Sequence, residues 1–163
     1  MKEVRKIIRN ILNENIRAEI ALAVKILTVF ISSETPVGVN LEHFNLDGMN
    51  FRRKGDTDSK KGMCDITFKF PGYDVTLFGE FTVYGTATSS EEAQTMEYPG
   101  APAEVSYDVD VQWTGFFAHP VDNSISIEKG EKDMPALFHM IPPGMEFSVI
   151  AKMKKLIEDK IFE

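Results

Sequence analysis

Residues 104–117 read Glu104-Val105-Ser106-Tyr107-Asp108-Val109-Asp110-Val111-Gln112-Trp113-Thr114-Gly115-Phe116-Phe117, and their alternation decides the fold. Val105, Tyr107, Val109, Val111, Trp113 and Phe117 share one parity, while Glu104, Ser106, Asp108, Asp110, Gln112 and Thr114 hold the other. Successive side chains of a strand point to opposite faces, so this stretch is a strand with one buried and one wet face. Its register is well determined. A slip of one residue would turn the apolar set into water, and burying each large side chain is worth about 1.5–3 kcal/mol.

The segments around it carry the same period. Cys64, Ile66, Phe68 and Phe70 point one way and Asp65, Thr67 and Lys69 the other, and Pro71-Gly72 supplies a type II turn in which glycine accepts positive φ. Tyr73, Val75, Leu77, Phe81 and Val83 make the return strand, with Gly79 permitting a bulge or a close approach. Val37, Val39 and Leu41 suggest a first strand, after which Phe44, Leu46, Met49 and Phe51 continue less regularly towards the polar stretch 52–62. Val121, Ile125 and Ile127 suggest a last strand, closed by Gly130.

Both ends of the chain change to helical spacing. Val4, Ile7, Ile8 and Ile11 recur three and four apart, and Ile16, Ile20, Ala23, Val24, Leu27, Phe30 and Ile31 continue the pattern after Asn13-Glu14-Asn15. The phase shifts at those residues, which predicts either two helices or one bent helix, ended by Ser32, Ser33 and Pro36. After Pro142-Pro143-Gly144, Phe147, Ile150, Met153, Leu156, Ile157 and Ile161 define a final amphipathic helix, with Lys152, Lys154, Lys155, Glu158 and Lys160 on its wet side. The expected architecture is α+β: an antiparallel sheet of about five strands with N- and C-terminal helices packed on one face. Residues 1–163 form a single domain, with an N-terminal helical segment at 1–33, the sheet at 37–129 and the C-terminal helix at 143–162.

Two connections stand out. Residues 86–102 make a loop longer than most, and such loops are usually functional or mobile. Residues 134–143 are apolar for a connector, through Met134, Leu137, Phe138, Met140 and Ile141, and are either a short core helix or a docking patch.

Charge is uneven. The net charge is −7, yet residues 1–30 hold six basic and three acidic groups, whereas residues 74–133 hold two basic and twelve acidic. An acidic sheet region disfavours anionic membranes and direct nucleic-acid binding and favours a basic partner surface, solubility being the commoner cause of such a bias. The apolar stretch 20–31 contains Lys25 and is too short to span a bilayer. With one cysteine, Cys64, and three histidines, neither a disulfide framework nor a Cys/His zinc site of usual spacing can be assembled, and a cytoplasmic location is expected.

Catalytic constellations are missing from the chain. Asp108 and Asp110 project from one face with Glu104 beyond them, a row able to hold a hard cation, to meet a partner, or simply to be solvated. Cys64 sits in the apolar parity of a strand, as a small buried hydrophobe does. His43, His119 and His139 are isolated in sequence, and no GxSxG, phosphate-binding glycine loop or HExxH occurs. Arg52, Arg53, Lys54, Lys60 and Lys61 flank residues 55–59 as a basic tip diluted by Asp56 and Asp58.

The segment Glu97-Tyr98-Pro99-Gly100-Ala101-Pro102-Ala103-Glu104, running into the strand 105–113, resembles a pattern in small accessory proteins of tailed bacteriophages, where a Pro-Gly-x-Pro-Ala-Glu segment enters a polar-faced strand. The resemblance covers about 20 of 163 residues and implies a small acidic protein that modulates a host enzyme. The first expectation is therefore a non-enzymatic, cofactor-free module that engages a basic surface of a host protease, nuclease or nucleic-acid-handling protein. Glu91, Glu92, Glu97, Glu104, Asp108 and Asp110 would steer the complex, and Met96 and Tyr98 would anchor it. A second expectation is an assembly component that forms homo-oligomers through residues 134–141 or a sheet edge; a third is a metal-dependent hydrolase built on Asp108 and Asp110.

Overall fold

A computed structural model of the chain describes residues 2–32, 38–122 and 124–163. The element order is α1 (Lys2–Ser32), β1 (Gly38–Leu41), β2 (Thr57–Phe70), β3 (Tyr73–Ala87), β4 (Val105–Pro120), β5 (Ile127–Lys129), α2 (Met134–Met140) and α3 (Met145–Ile161). The strands form one antiparallel sheet in sequential order, and the N-terminal helix and two C-terminal helices place it in the α+β class. Each strand lies beside the one it follows, the arrangement that short connections favour.

One sheet face and the helices share a single apolar core. Ile66 of β2, Val75, Leu77, Phe81 and Val83 of β3, and Val109, Trp113 and Phe116 of β4 are buried against Ala23, Ile26, Leu27 and Phe30 of α1 and Val149, Met153 and Ile157 of α3. Gly79 permits the closest approach: a Cβ there would lie 2.9 Å from Met153 Cε and 3.1 Å from Gln112 O. No polar or charged residue is buried among the described residues. Glu19 of α1 and Lys129 of β5 join helix to sheet at 2.8 Å on the rim of the core.

The parity of β4 reverses within the strand. Gly79 pairs with Trp113 and Phe78 with Gly115, so Thr114 is an extra residue bulged out of the ladder. Beyond it Phe116 and Ala118 turn inward, both with no exposure, and Phe117 stacks on His119 at 5.7 Å on the outer face. The expectation that Phe117 shares the inward side with Trp113 is therefore corrected, because the inserted residue advances the two-residue period by one. Trp113 fixes the bulge: its buried indole Nε1–H donates to Gly115 O at 2.7 Å.

Other differences have equally local causes. Of the two alternatives at Asn13-Glu14-Asn15, the break into two helices does not occur: α1 is one helix, since an altered apolar phase changes which face is used and breaks no backbone hydrogen bond. Pairing with β3 holds 57–62 in β2 and extends β3 to Ala87, so the long loop begins at residue 88. The last strand contains Ile127 but neither Val121 nor Ile125, which are 71 % and 44 % exposed. Helix α3 buries Val149, Met153 and Ile157 at steps of four and leaves Phe147 exposed, so Phe147 does not belong to its core side. The Pro71-Gly72 connection follows the expectation, with Gly72 at φ +83° between the paired Phe70 and Tyr73. Val37, Ser33 and Pro36 lie outside the described residues.

Strand β5 pairs only with residues 116–118 of β4. Among the described residues no strand lies beside 105–115 on that side, so most of that edge of β4 is open.

Candidate functional site

Residues 88–104 fold as a finger at the β3–β4 end of the sheet. Backbone bonds hold its base, from Thr88 N to Glu104 O at 2.7 Å and from Glu92 N to Ala101 O at 2.8 Å. Its tip is a tight turn in which Thr95 N donates to Tyr98 O at 2.8 Å and Tyr98 N donates to Thr95 Oγ1 at 3.0 Å. Gly100 makes the return possible: it sits at φ +80°, and a Cβ there would lie 2.8 Å from Glu92 O. One flank docks on the basic segment after Phe51, since Glu91 N donates to Arg52 O at 2.7 Å and Lys54 N to Ser90 Oγ at 3.1 Å.

Met96 protrudes from the tip with its whole side chain in solvent, at 106 % relative exposure. Glu91, Glu92 and Glu97 are exposed beside it, and the Tyr98 hydroxyl donates to Glu92 Oε2 at 2.6 Å. That bond favours the neutral phenol and raises the Tyr98 pKa above its ordinary value. An unbranched apolar side chain on a tethered turn, on a finger that also carries three exposed glutamates, suits insertion into a small pocket with a basic rim.

The other predicted residues follow along the sheet. Glu104 is exposed at the base of the finger, while Asp108 and Asp110 lie on the outer face opposite Tyr84 and Thr82. Asp108 is partly compensated, because Lys154 of α3 reaches round the open edge to within 3.3 Å of its Oδ1. Asp110 makes no ion pair among the described residues, and it lines a depression of about 420 Å³ with Lys61, Met63, Glu80 and Gln112. Met63 and Glu80 were not singled out from the sequence. Their wet parity in β2 and β3 was the available signal, but which neighbours they meet depends on register.

The remaining candidates are spread over several elements of the fold. Cys64 is buried, and desolvation, then the nearby Asp65 charge, push its thiol pKa up to about 12, the reverse of what a nucleophile needs. His43, His119 and His139 belong to the β1–β2 connection, β4 and α2. Among the described residues no three His, Cys, Asp or Glu side chains are grouped as a metal site would need. The basic tip is split by strand alternation: Lys60 turns inward, donating to Asn45 Oδ1 and Asp47 O at 3.0 and 2.9 Å, whereas Lys61 lies on the outer face. Backbone N–H groups of Arg53 and Arg52 bond the Asp56 carboxylate and hold its pKa below the ordinary value. Met134, Leu137 and Ile141 are buried, so that connector is a short helix packed into the core, with Met140 on its exposed side. No described helix is long and apolar enough to cross a membrane. Comparison with family models, with curated proteins and with solved structures finds no match.

Proposed function

We propose that the protein is a non-catalytic, acidic protein-binding module whose finger docks on a basic surface of a host enzyme. The observation that carries this reading is Met96, fully solvent-exposed at the end of an internally bonded turn with Glu91, Glu92 and Glu97 beside it. A large apolar side chain held in water contributes nothing to the fold, whereas in a complex it would be buried at the centre of a polar rim. Asp110 and Glu80 add two carboxylates to one cation, Lys61, in the depression on the sheet face, a local excess of negative charge that suits steering of a basic partner. The resemblance of 97–104 to phage accessory proteins favours a host protease, nuclease or nucleic-acid-handling protein as the basic partner.

The test is association kinetics with the basic protein that the full chain retains from host extract. Reversing Glu91, Glu92, Glu97 and Asp110 to lysine is expected to slow association at least tenfold at low salt, and Met96→Ser to speed dissociation. An association rate unchanged by the four reversals would refute electrostatic docking through this face.

A further inference from the structure

Helix α1 carries two apolar rows, and the domain buries only the C-terminal part of one of them, leaving Leu12 and Ile16 of that row exposed. Ala23, Ile26, Leu27 and Phe30 are buried in the core. Val4, Ile8, Ile11, Asn15, Ala18, Leu22, Lys25 and Val29 form a second row in alternating steps of four and three. At 3.6 residues per turn the second row lies about 90° round the helix from the first, and of its members only Leu22 packs against the core. Val4, Ile7, Ile8 and Ile11 are 56 %, 57 %, 51 % and 51 % exposed, and every described residue before Glu19 is exposed.

We infer that a second copy of this chain covers that row, the two α1 helices pairing side by side and parallel as a two-stranded coil. Alternating steps of four and three average 3.5 residues, the repeat that keeps a seam facing a partner helix as both supercoil. Asn15 interrupts the aliphatic run at one position only before Lys25. In a parallel pair it meets the second copy's Asn15, and the two amides satisfy each other; in an antiparallel pair it is set against Ile11 or a neighbouring aliphatic layer. A lone asparagine in a seam fixes register and strand number in this way. Lys25 lies near the far end of the row, where its stem can cover apolar surface while the ammonium stays wet.

The composition of the row argues for protein over lipid. No aromatic residue occurs among residues 2–29 and Asn15 lies in the middle of the apolar face, while Lys2, Arg5, Lys6, Arg9 and Arg17 outnumber Glu3, Glu14 and Glu19 around it. A helix lying on an anionic bilayer shares a basic surround but sets Trp, Phe or Leu along its apolar face. A parallel pair brings Glu14 towards the second copy's Glu19, but Lys129 already holds Glu19 at 2.8 Å and softens that repulsion.

The size fits a reversible dimer. Val4 to Val29 spans roughly 38 Å of helix, and a strip about 10 Å wide on each copy gives on the order of 800 Å² of projected contact. Accessible area over interlocking side chains exceeds the projected area, which brings the pair near the roughly 1,000 Å² that a specific interface needs. This surface is separate from the finger, so either interaction can fail without the other.

Sedimentation equilibrium of the full chain tests the inference, the expected mass at micromolar concentration being twice the 18.4 kDa of one chain. Ile8→Asp with Ile11→Asp is expected to weaken the pair at least about a hundredfold while leaving near-UV ellipticity unchanged, since neither side chain enters the core. Ala18→Cys is expected to form an intermolecular disulfide readily, and Asn13→Cys, on the opposite side of the helix, is not; the native Cys64 is buried. A wild-type monomer across the micromolar range would overturn the inference, as would a dimer that survives the double substitution or equal cross-linking from both cysteines. Monomers that instead sediment with phosphatidylserine-containing vesicles would assign the row to lipid.

Discussion

Deleting Thr114 should be tolerated, because the residue is inserted between consecutive rungs of the β3–β4 ladder. Gly79 pairs with Trp113 and Phe78 with Gly115, so without Thr114 the two strands run on in step, and Phe116 and Ala118 stay opposite Leu77 and Val75 with no exposure. No apolar burial is lost. The change is local: the bulge brings Gly115 O to 2.7 Å from the Trp113 indole N–H, and a regular strand leaves that buried donor without its acceptor, at roughly 1–3 kcal/mol. Turning 115–120 over instead would expose Phe116 and Ala118, which alone costs roughly 2–4 kcal/mol, so the regular ladder is the better course. The expected loss is therefore roughly 1–3 kcal/mol, less than the stability of an ordinary domain. Urea unfolding followed by Trp113 fluorescence should show a folded baseline and a midpoint lowered by about 1 M, at about 1–3 kcal/mol per molar urea. Thr114→Ala keeps the bulge and should move the midpoint by less than about 1 kcal/mol equivalent. A deletion variant with no folded baseline would show that the inward set depends on the bulge and would refute this reasoning.

Three further outcomes follow from the core and the finger. The Cys64 thiol titrates near 12 when folded and near 9 when unfolded, so below pH 9 it is neutral in both states and does not affect stability. Above pH 9 only the unfolded chain releases the proton, and wild type should lose about 1.4 kcal/mol per pH unit relative to Cys64→Ala up to pH 12, measured by urea titration at each pH. Gly79→Ala should cost about 1–3 kcal/mol, because its methyl would meet the Gln112 carbonyl at 3.1 Å and displace Met153; calorimetry checks this. Gly100→Ala should speed amide exchange at Glu92 and Thr95 by about tenfold or more while leaving the core midpoint unchanged, since the methyl collides with Glu92 O inside the finger alone.

Long alternating runs made most of the sheet legible from the sequence. Cys64 and Ile66, Val75 to Val83, and Val109 to Trp113 each bury the predicted side, because a two-residue period with one apolar parity has few competing solutions. The reversal at Thr114 was not legible, since Phe116 and Phe117 are equally apolar and only the cross-strand partner selects between them. Phe147 misled for a similar reason: it fits helical spacing, but Val149 fits the surface of the sheet. The outward placement of Asp108 and Asp110 followed from parity. Glu80 and Met63 beside Asp110 required the register of three strands, which no single segment encodes. In α1 the change of phase at Asn13-Glu14-Asn15 was visible, while its meaning, a second face rather than a break, required knowing where the body of the protein ends.

The brevity of β5 has a consequence for anyone altering this surface. A rim of backbone amides and carbonyls along 105–115 is an invitation to a passing strand, and unblocked rims of that kind grow into aggregates. Lys154, clasping Asp108 across the rim, stands where such a strand would lie. Neutralising Asp108 would unfasten that clasp, so turbidity belongs beside every binding curve recorded with such a variant.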